Sequence, residues 1–83
     1  MANRMQKQKD NSIAELQIGE SRVVTAVDGD DLFTLRLASL GFTPQTNVTC
    51  VAISPIGGIK AYRVKETIIA LRKNDAKRIE CRI

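Results

Sequence analysis

The sequence contains no histidine and no tryptophan, and its aromatic residues are limited to two phenylalanines and one tyrosine. The missing histidine removes the side chain that most often serves as a general base near neutral pH and as a metal ligand. The chain also lacks a glycine-rich phosphate loop and a pair of carboxylates in an apolar setting, which are other common starting points for catalysis. We therefore predict that the protein is not an enzyme and has no cofactor.

Metal ligands are scarce as well. The chain has two cysteines, Cys50 and Cys81, and neither has a second thiol at the spacing of a zinc site. Both lie in apolar strand patterns, where a free thiol packs as a small hydrophobe, although a bridge between them is an alternative if their strands pair. Asp28, Asp30 and Asp31 lack the ordered oxygen ligands of a calcium loop and are better interpreted as a turn and a helix cap. We predict no metal site.

Long apolar runs are absent too. No stretch of sequence is apolar over the roughly 20 residues that a membrane-spanning helix needs. Residues 1–11 are polar throughout and lack the apolar core of a signal peptide. We expect residues 1–11 to form a disordered tail and residues 12–83 to form one domain, in the cytoplasm and with reduced thiols.

The net charge of +4 is distributed unevenly along the chain. Residues 10–31 carry six acidic side chains and one arginine, whereas residues 60–82 carry eight basic and three acidic side chains. Two solvated faces of opposite charge explain this division without any partner. A basic surface that docks an acidic partner, a phosphate-bearing partner or a membrane is the functional alternative. Nucleic-acid binding is a further alternative, but three aromatic residues offer little of the stacking surface that barrels use to bind single strands.

The hydrophobic pattern predicts five short strands and one short helix. Apolar and β-branched segments bounded by turn residues predict strands at 22–27, 47–54, 59–65, 67–71 and 79–83. One helix is predicted at 31–40, with Asp30 or Asp31 as its N-cap, and single turns are predicted at 12–15 and 73–77. These elements favour an all-β fold, a small barrel in which closure removes exposed strand edges.

The clearest local pattern is the segment Leu-Ala-Ser-Leu-Gly-Phe-Thr-Pro at 37–44. Gly41 suits the left-handed position that follows a helix, and Pro44 cannot continue the helix. Further along, Pro-Ile-Gly-Gly at 55–58 predicts a hairpin connection, because proline presets φ and glycine accepts positive φ without strain.

Together with Ile-Ala-Glu-Leu at 13–16, Tyr-Arg-Val at 62–64 and Ile-Ala-Leu-Arg-Lys at 69–73, these segments resemble the FeoA-like family over residues 12–83. The resemblance implies an SH3-like barrel with an accessory role, rather than a transporting one, in bacterial ferrous iron uptake. It implies a partner, the membrane transporter FeoB with its cytoplasmic GTP-binding domain, which would hold the chain at the inner membrane. A metal-regulator type of domain is the alternative, since a related barrel occurs in some metal-dependent repressors.

The chain departs from the family pattern at two positions where glycine is common, Gln45 and Glu66. If the turn at position 66 requires positive φ, glutamate is strained there by roughly 1 kcal/mol or more. We therefore expect either a strained turn or a rearranged hairpin around residues 64–67.

The resemblance also implies a partner-binding cleft between the end of the helix and the 55–58 turn. Its predicted members are Leu40, Gly41, Phe42, Pro55, Ile56, Gly57, Gly58, Tyr62 and Arg72. An exposed aromatic residue beside an arginine is a common anchor in such grooves. Core packing is the alternative for Leu40 and Phe42, and turn geometry is the alternative for the glycines. A homo-oligomer formed through an open barrel edge, or through an apolar patch around Phe42 and Ile56, is a separate hypothesis.

Overall fold

The computed structural model describes residues 11–82, which form five β-strands, one α-helix and two single helical turns. In chain order the elements are a 3-10 turn (Ile13–Glu15), β1 (Ser21–Val27), α1 (Leu32–Ser39), β2 (Asn47–Ile53), β3 (Ile59–Val64), β4 (Thr67–Arg72), α2 (Lys73–Ala76) and β5 (Ile79–Arg82). Every predicted strand is confirmed, and each end either matches the prediction or differs from it by one residue. Residues 1–10 and Ile83 lie outside the described residues.

Helix α1 begins and ends at its predicted capping residues. The carboxylate of Asp31 accepts hydrogen bonds from the backbone N–H of Thr34 at 3.0 Å and from its hydroxyl at 2.8 Å. At the other end, Gly41 has a φ of +119°, and the N–H of Phe42 donates to the carbonyl of Leu37 at 3.1 Å. The chain therefore leaves the helix through a glycine with positive φ, as the sequence predicted.

The strands form one antiparallel sheet in the order β4-β3-β2-β1-β5. The register of β1 against β5 shifts between Val24 and Ala26, and that of β2 against β3 shifts between Cys50 and Ala52. Such irregularities bend a strand and increase its twist, which lets the sheet curl around one core. The predicted all-β class, with five strands and one short helix, is confirmed.

The curled sheet, the 3-10 turn and α1 enclose one hydrophobic core. Its largest fully buried side chains are Tyr62, Phe42, Ile13, Leu16, Leu37 and Ile79. Cys50 on β2 and Cys81 on β5 also belong to the core, and both are free thiols on strands that β1 separates. Burial raises the pKa of the Cys81 thiol above its ordinary value, as expected for a thiol that packs as a hydrophobe.

The segment before the 3-10 turn is attached to β5. The carbonyl of Asn11 accepts a hydrogen bond from the backbone N–H of Cys81 at 2.6 Å, and Ser12 forms an antiparallel bridge with Glu80. Asn11 therefore belongs to the fold. The rest of the predicted tail, residues 1–10, falls outside the described part of the chain.

Two turns place a side-chain-bearing residue at positive φ. Gln45 has a φ of 76° and follows Pro44 in a turn closed by the hydrogen bond from the Thr46 N–H to the Thr43 carbonyl at 3.1 Å. Proline followed by a residue with positive φ is the arrangement of a type II turn, which favours glycine at this position. In the β3–β4 hairpin the positive φ, 57°, belongs to Lys65. Strain at residue 66 is therefore not found, because the hairpin takes its positive φ one residue earlier.

Candidate partner-binding surface

The single cleft predicted from the sequence does not form, because its two halves lie at opposite ends of β3. The backbone of Gly41 lies against the C-terminal end of β3, where an added Cβ would be 3.2 Å from Cγ2 of Val64. The 55–58 loop instead precedes the first residue of β3, Ile59. Five residue steps along a strand, at about 3.3 Å each, separate the two ends by about 17 Å. The prediction that the helix end and this loop share one groove is therefore wrong.

Three of the predicted contact residues are buried. Phe42 and Tyr62 are each 0% exposed, and Gly41 is buried beside β3. For Phe42 the core alternative is confirmed. The expectation of an exposed tyrosine anchor is wrong, because Tyr62 and Val64 occupy the inward positions of β3 while Arg63 between them is exposed. In the sequence, Tyr62 and Val64 alternate with the charged Arg63, and this pattern indicates that Tyr62 faces the core.

Leu40 is 44% exposed, and it contributes to a different surface. Leu32 and Leu35 of α1 are 78% and 63% exposed. We call these three leucines the helix surface. Helix α1 is therefore apolar on both sides, because Leu37 faces the core.

The remaining predicted residues do come together, around the loop between β2 and β3. The loop is closed by a hydrogen bond from the Ser54 N–H to the Ile59 carbonyl at 2.9 Å. It is fastened to the start of α2 by the Lys73 N–H, which donates to the Gly58 carbonyl at 2.7 Å, and Arg72 pairs with Ile59 across β3 and β4. We call this set the loop surface, which comprises Ile53, Pro55, Ile56, Gly57, Gly58, Ile59 and Arg72.

The loop surface is apolar and strongly exposed. Ile56 is 85% exposed, and Ile53 and Ile59 on either side of the loop are 37% and 43% exposed. Three exposed isoleucines on one short connection are unusual for a surface that contacts only water. The sequence prediction named Ile56 and omitted Ile53 and Ile59, which it assigned to strands.

A cleft of about 300 Å³ adjoins the loop surface. It lies between the loop and the 3-10 turn, and residues from the turn, β2, β3 and α2 line it. Those that bear on its chemistry are Glu15, Ile53, Ile59, Lys60, Tyr62 and Lys73. Lys60 is held in place because its ammonium group donates to the carbonyls of Ala14 at 2.8 Å and Leu16 at 2.6 Å. Sequence reasoning missed this cleft, since it depends on the packing of the 3-10 turn against β3.

The hydroxyl of Tyr62 is buried and has no hydrogen-bond partner among residues 11–82. Burial raises the pKa of this phenol, and the nearby Cys50 and Glu15 raise it further. The hydroxyl therefore stays protonated at neutral pH and remains available as a donor.

Part of the basic C-terminal half is used within the fold. Arg78 donates to the carboxylate of Asp31 at 2.8 Å and to the hydroxyl of Thr34 at 2.8 Å, and its guanidinium lies 5.1 Å from the centre of the Phe33 ring. The hydrogen bond from Arg78 is the main cause that lowers the pKa of Asp31 to about 2. Arg78 therefore serves the packing of α1 against the C-terminal part of the chain.

Within the described range 11–82, no three side chains of histidine, cysteine, aspartate or glutamate come together as they would around a metal ion. In the same range, neither helix is long and apolar enough to span a membrane.

Comparison with known proteins identifies the family. Residues 11–83 match the sequence model of the FeoA domain. This chain belongs to the FeoA family. A curated relative is the Fe(2+) transport protein A/Fe(2+) transporter FeoB fusion protein of Porphyromonas gingivalis, which is 31% identical over 68 residues. The match covers 82% of this chain and only 8% of the fusion protein.

Solved structures confirm that this FeoA-family chain has the SH3-like fold. The crystal structure of Stenotrophomonas maltophilia FeoA, an SH3 domain protein solved in complex with zinc, is 33% identical with a TM-score of 0.77, and the match covers 86% of this chain and 88% of that one. Iron(II) transport protein A from Clostridium thermocellum has a TM-score of 0.81 at 22% identity, with 87% of this chain and 44% of that chain covered. At that identity the second likeness shows the fold alone.

Proposed function

We propose that this FeoA-family chain is a non-enzymatic accessory protein of ferrous iron uptake that binds the cytoplasmic part of the transporter FeoB. The observation that supports the proposal is the relative whose name describes an iron transport protein A and FeoB fused in one chain. Two proteins that are fused in one organism commonly act side by side when they are separate. The chain would then be held at the cytoplasmic face of the inner membrane by its partner.

The loop surface is the part of the fold that we propose as the contact with FeoB. It combines exposed isoleucines with Arg72, and arginine and large apolar side chains are the residues that most often carry the binding energy of an interface. The loop is also fixed at both ends by backbone hydrogen bonds, so little conformational entropy is lost when it docks. Of the predicted contacts, Pro55, Ile56, Gly57, Gly58 and Arg72 belong to this surface.

Binding to FeoB from the same cell, purified in lipid nanodiscs, tests the proposal. We expect Ile56→Ser and Arg72→Gln to weaken binding by about tenfold each, which is typical of truncating an interface anchor. Leu35→Ser is the matched control, because Leu35 is similarly exposed but lies on the helix surface. If Leu35→Ser weakens binding and Ile56→Ser does not, the helix surface is the docking site. Unimpaired ferrous iron uptake in a strain that lacks this chain would contradict the accessory role.

A further inference from the structure

The hydroxyl of Tyr62 is one of three buried side-chain polar atoms that lack a hydrogen-bond partner among residues 11–82, and it is the one that belongs to a residue lining the cleft. The side chain is 0% exposed, its hydroxyl oxygen is buried, and residues 11–82 provide it with no hydrogen-bond partner. A buried hydroxyl without a partner is destabilising, and phenylalanine would fill the same space without it. Tyr62 lines the 300 Å³ cleft, so a group that binds in this cleft is the candidate for the missing partner.

The other polar groups of the cleft define what that partner is. An ammonium group has three donors and no acceptor, and Lys60 uses two of its donors on the carbonyls of Ala14 and Leu16. Its third donor and the exposed ammonium of Lys73 remain available at the cleft. Together with the Tyr62 hydroxyl, they offer donors and positive charge. Glu15 is the opposing carboxylate on the rim, so an incoming anion must carry little charge and be placed away from it.

The walls of the cleft are apolar. Ile53 and Ile59 are both partly exposed and line it. Apolar walls offer a phosphate group no favourable contacts. Glu15 would also repel the double negative charge of a phosphate more strongly than the single charge of a carboxylate. A carboxylate with apolar neighbours matches both the donors and the isoleucines.

We infer that this cleft binds an acidic side chain flanked by apolar residues on a partner peptide, with the Tyr62 hydroxyl as a donor to its carboxylate. The inference rests on the proposed function only in taking FeoB as the natural source of that peptide. Lys73 supplies the neighbouring charge, and Ile53 and Ile59 hold the apolar flanks. This role gives a function to the Tyr62 hydroxyl, which the packing of the free protein does not require.

The first test uses the full chain and a synthetic peptide, acetyl-Leu-Asp-Leu-amide, followed by the backbone amide signals in NMR. We expect the signals of Gly58, Lys60 and Lys73 to shift as the peptide is added, with an affinity that falls as salt is raised. The same peptide with Asn in place of Asp is the control and should bind at least about fivefold more weakly, because it loses a charge-assisted hydrogen bond. Equal shifts with both peptides, or no shift at millimolar concentration, would overturn the inference.

The second test separates binding from folding. Tyr62→Phe should weaken peptide binding by about ten- to a hundredfold, the usual effect of losing one hydrogen bond to a charged group, without lowering Tm. Lys73→Gln should weaken binding and Glu15→Gln should strengthen it, because the two changes remove charges of opposite sign. Lys77→Gln, an exposed lysine outside the cleft, is the matched control. A fall in Tm for Tyr62→Phe with unchanged binding would show that the hydroxyl serves the fold, and would contradict the inference.

The same variants, tested against FeoB in nanodiscs, distinguish this inference from the proposed function. Suppose that FeoB binds, and that neither Tyr62→Phe nor Lys73→Gln changes the binding of FeoB or of the peptide. The proposed function then stands, and the inference about the cleft is wrong. If the peptide binds in the cleft and FeoB does not bind, the inference stands and FeoB is not the source.

Discussion

The ammonium group of Lys60 lies 2.6 Å from the carbonyl oxygen of Leu16 and donates a hydrogen bond to it. A β3 side chain thus fastens the segment that leaves the 3-10 turn, which is also tied to β2 by the hydrogen bond from the Gly19 N–H to the Cys50 carbonyl at 2.8 Å. A second bond from the same ammonium reaches the Ala14 carbonyl. Carbonyls at the end of a helical turn have no hydrogen-bond partner within the turn. A charged donor such as the Lys60 ammonium group forms strong hydrogen bonds with them.

We predict that Lys60→Met destabilises the protein by about 1 to 3 kcal/mol. Methionine keeps the apolar stem of lysine but cannot donate to the two carbonyls, and hydrogen bonds from charged groups contribute about 1.5 to 3 kcal/mol. Urea denaturation followed by circular dichroism measures the change. Lys77→Met is the control, since Lys77 is exposed, and it should change stability by less than about 0.5 kcal/mol. Equal stabilities of the two variants would mean that the Lys60 contacts contribute nothing.

Gly41 and Gly57 should respond differently to alanine. Gly41 has a φ of +119°, and a Cβ there would lie 3.2 Å from Val64, so Gly41→Ala should destabilise by about 2 kcal/mol or more. Gly57 has neither positive φ nor any atom within 4 Å of an added Cβ. Gly57→Ala should therefore be neutral or slightly stabilising, because it reduces the entropy of the unfolded chain. Thermal unfolding of both variants provides the comparison, and a similar loss in both would contradict the assigned turn geometry.

Gln45→Gly should stabilise the protein, by up to about 1 kcal/mol. The left-handed conformation strains a side-chain-bearing residue by about 1 to 2 kcal/mol, and the greater entropy of glycine in the unfolded chain offsets part of the gain. The long contact between the Arg82 guanidinium and the Gln45 amide oxygen, 3.4 Å, is too weak to reverse the sign. Gln17→Gly is the control, because Gln17 has no positive φ, and we expect it to destabilise. The midpoints of urea denaturation should move in opposite directions for the two variants.

The ion pair between Arg78 and Asp31 predicts an acid-dependent loss of stability. The pKa of Asp31 is lowered from 3.8 to about 2 in the folded protein, so the ionised carboxylate stabilises the fold above pH 4. That contribution should be lost as the pH falls from about 4 toward 2, where folded Asp31 also becomes protonated. Calorimetry across this range should show Asp31→Asn less stable than the wild type at neutral pH, with the difference shrinking as the pH falls from about 4 through 2.

Asn is the appropriate substitute for Asp31 because it is as good an N-cap as aspartate, so the variant removes the charge and leaves the cap. Asp30→Asn serves as the control, since Asp30 lies outside this hydrogen-bond network. A gap between Asp31→Asn and the wild type that persists unchanged to pH 2 would contradict the role of the ion pair.

The sequence predicted the fold well because its decisive signals are local. Gly41 ends α1 and Pro44 redirects the chain, and the Pro55–Gly58 segment must form a tight connection between two strands whatever surrounds it. The candidate site was predicted less well because it depends on relations between distant segments. Nothing in the order of the segments shows that Gly41 and Gly58 flank opposite ends of β3. The same limit applies to the cleft, which is lined by residues from the 3-10 turn, β2, β3 and α2.

The bond between the Asn11 carbonyl and the Cys81 N–H means that the first described residue of the barrel lies beside its last strand, β5. A domain whose two ends meet can be joined head to tail by a short linker, or inserted into a surface loop of another protein, without stretching either chain. Covalent attachment to a larger protein therefore requires little change in this fold.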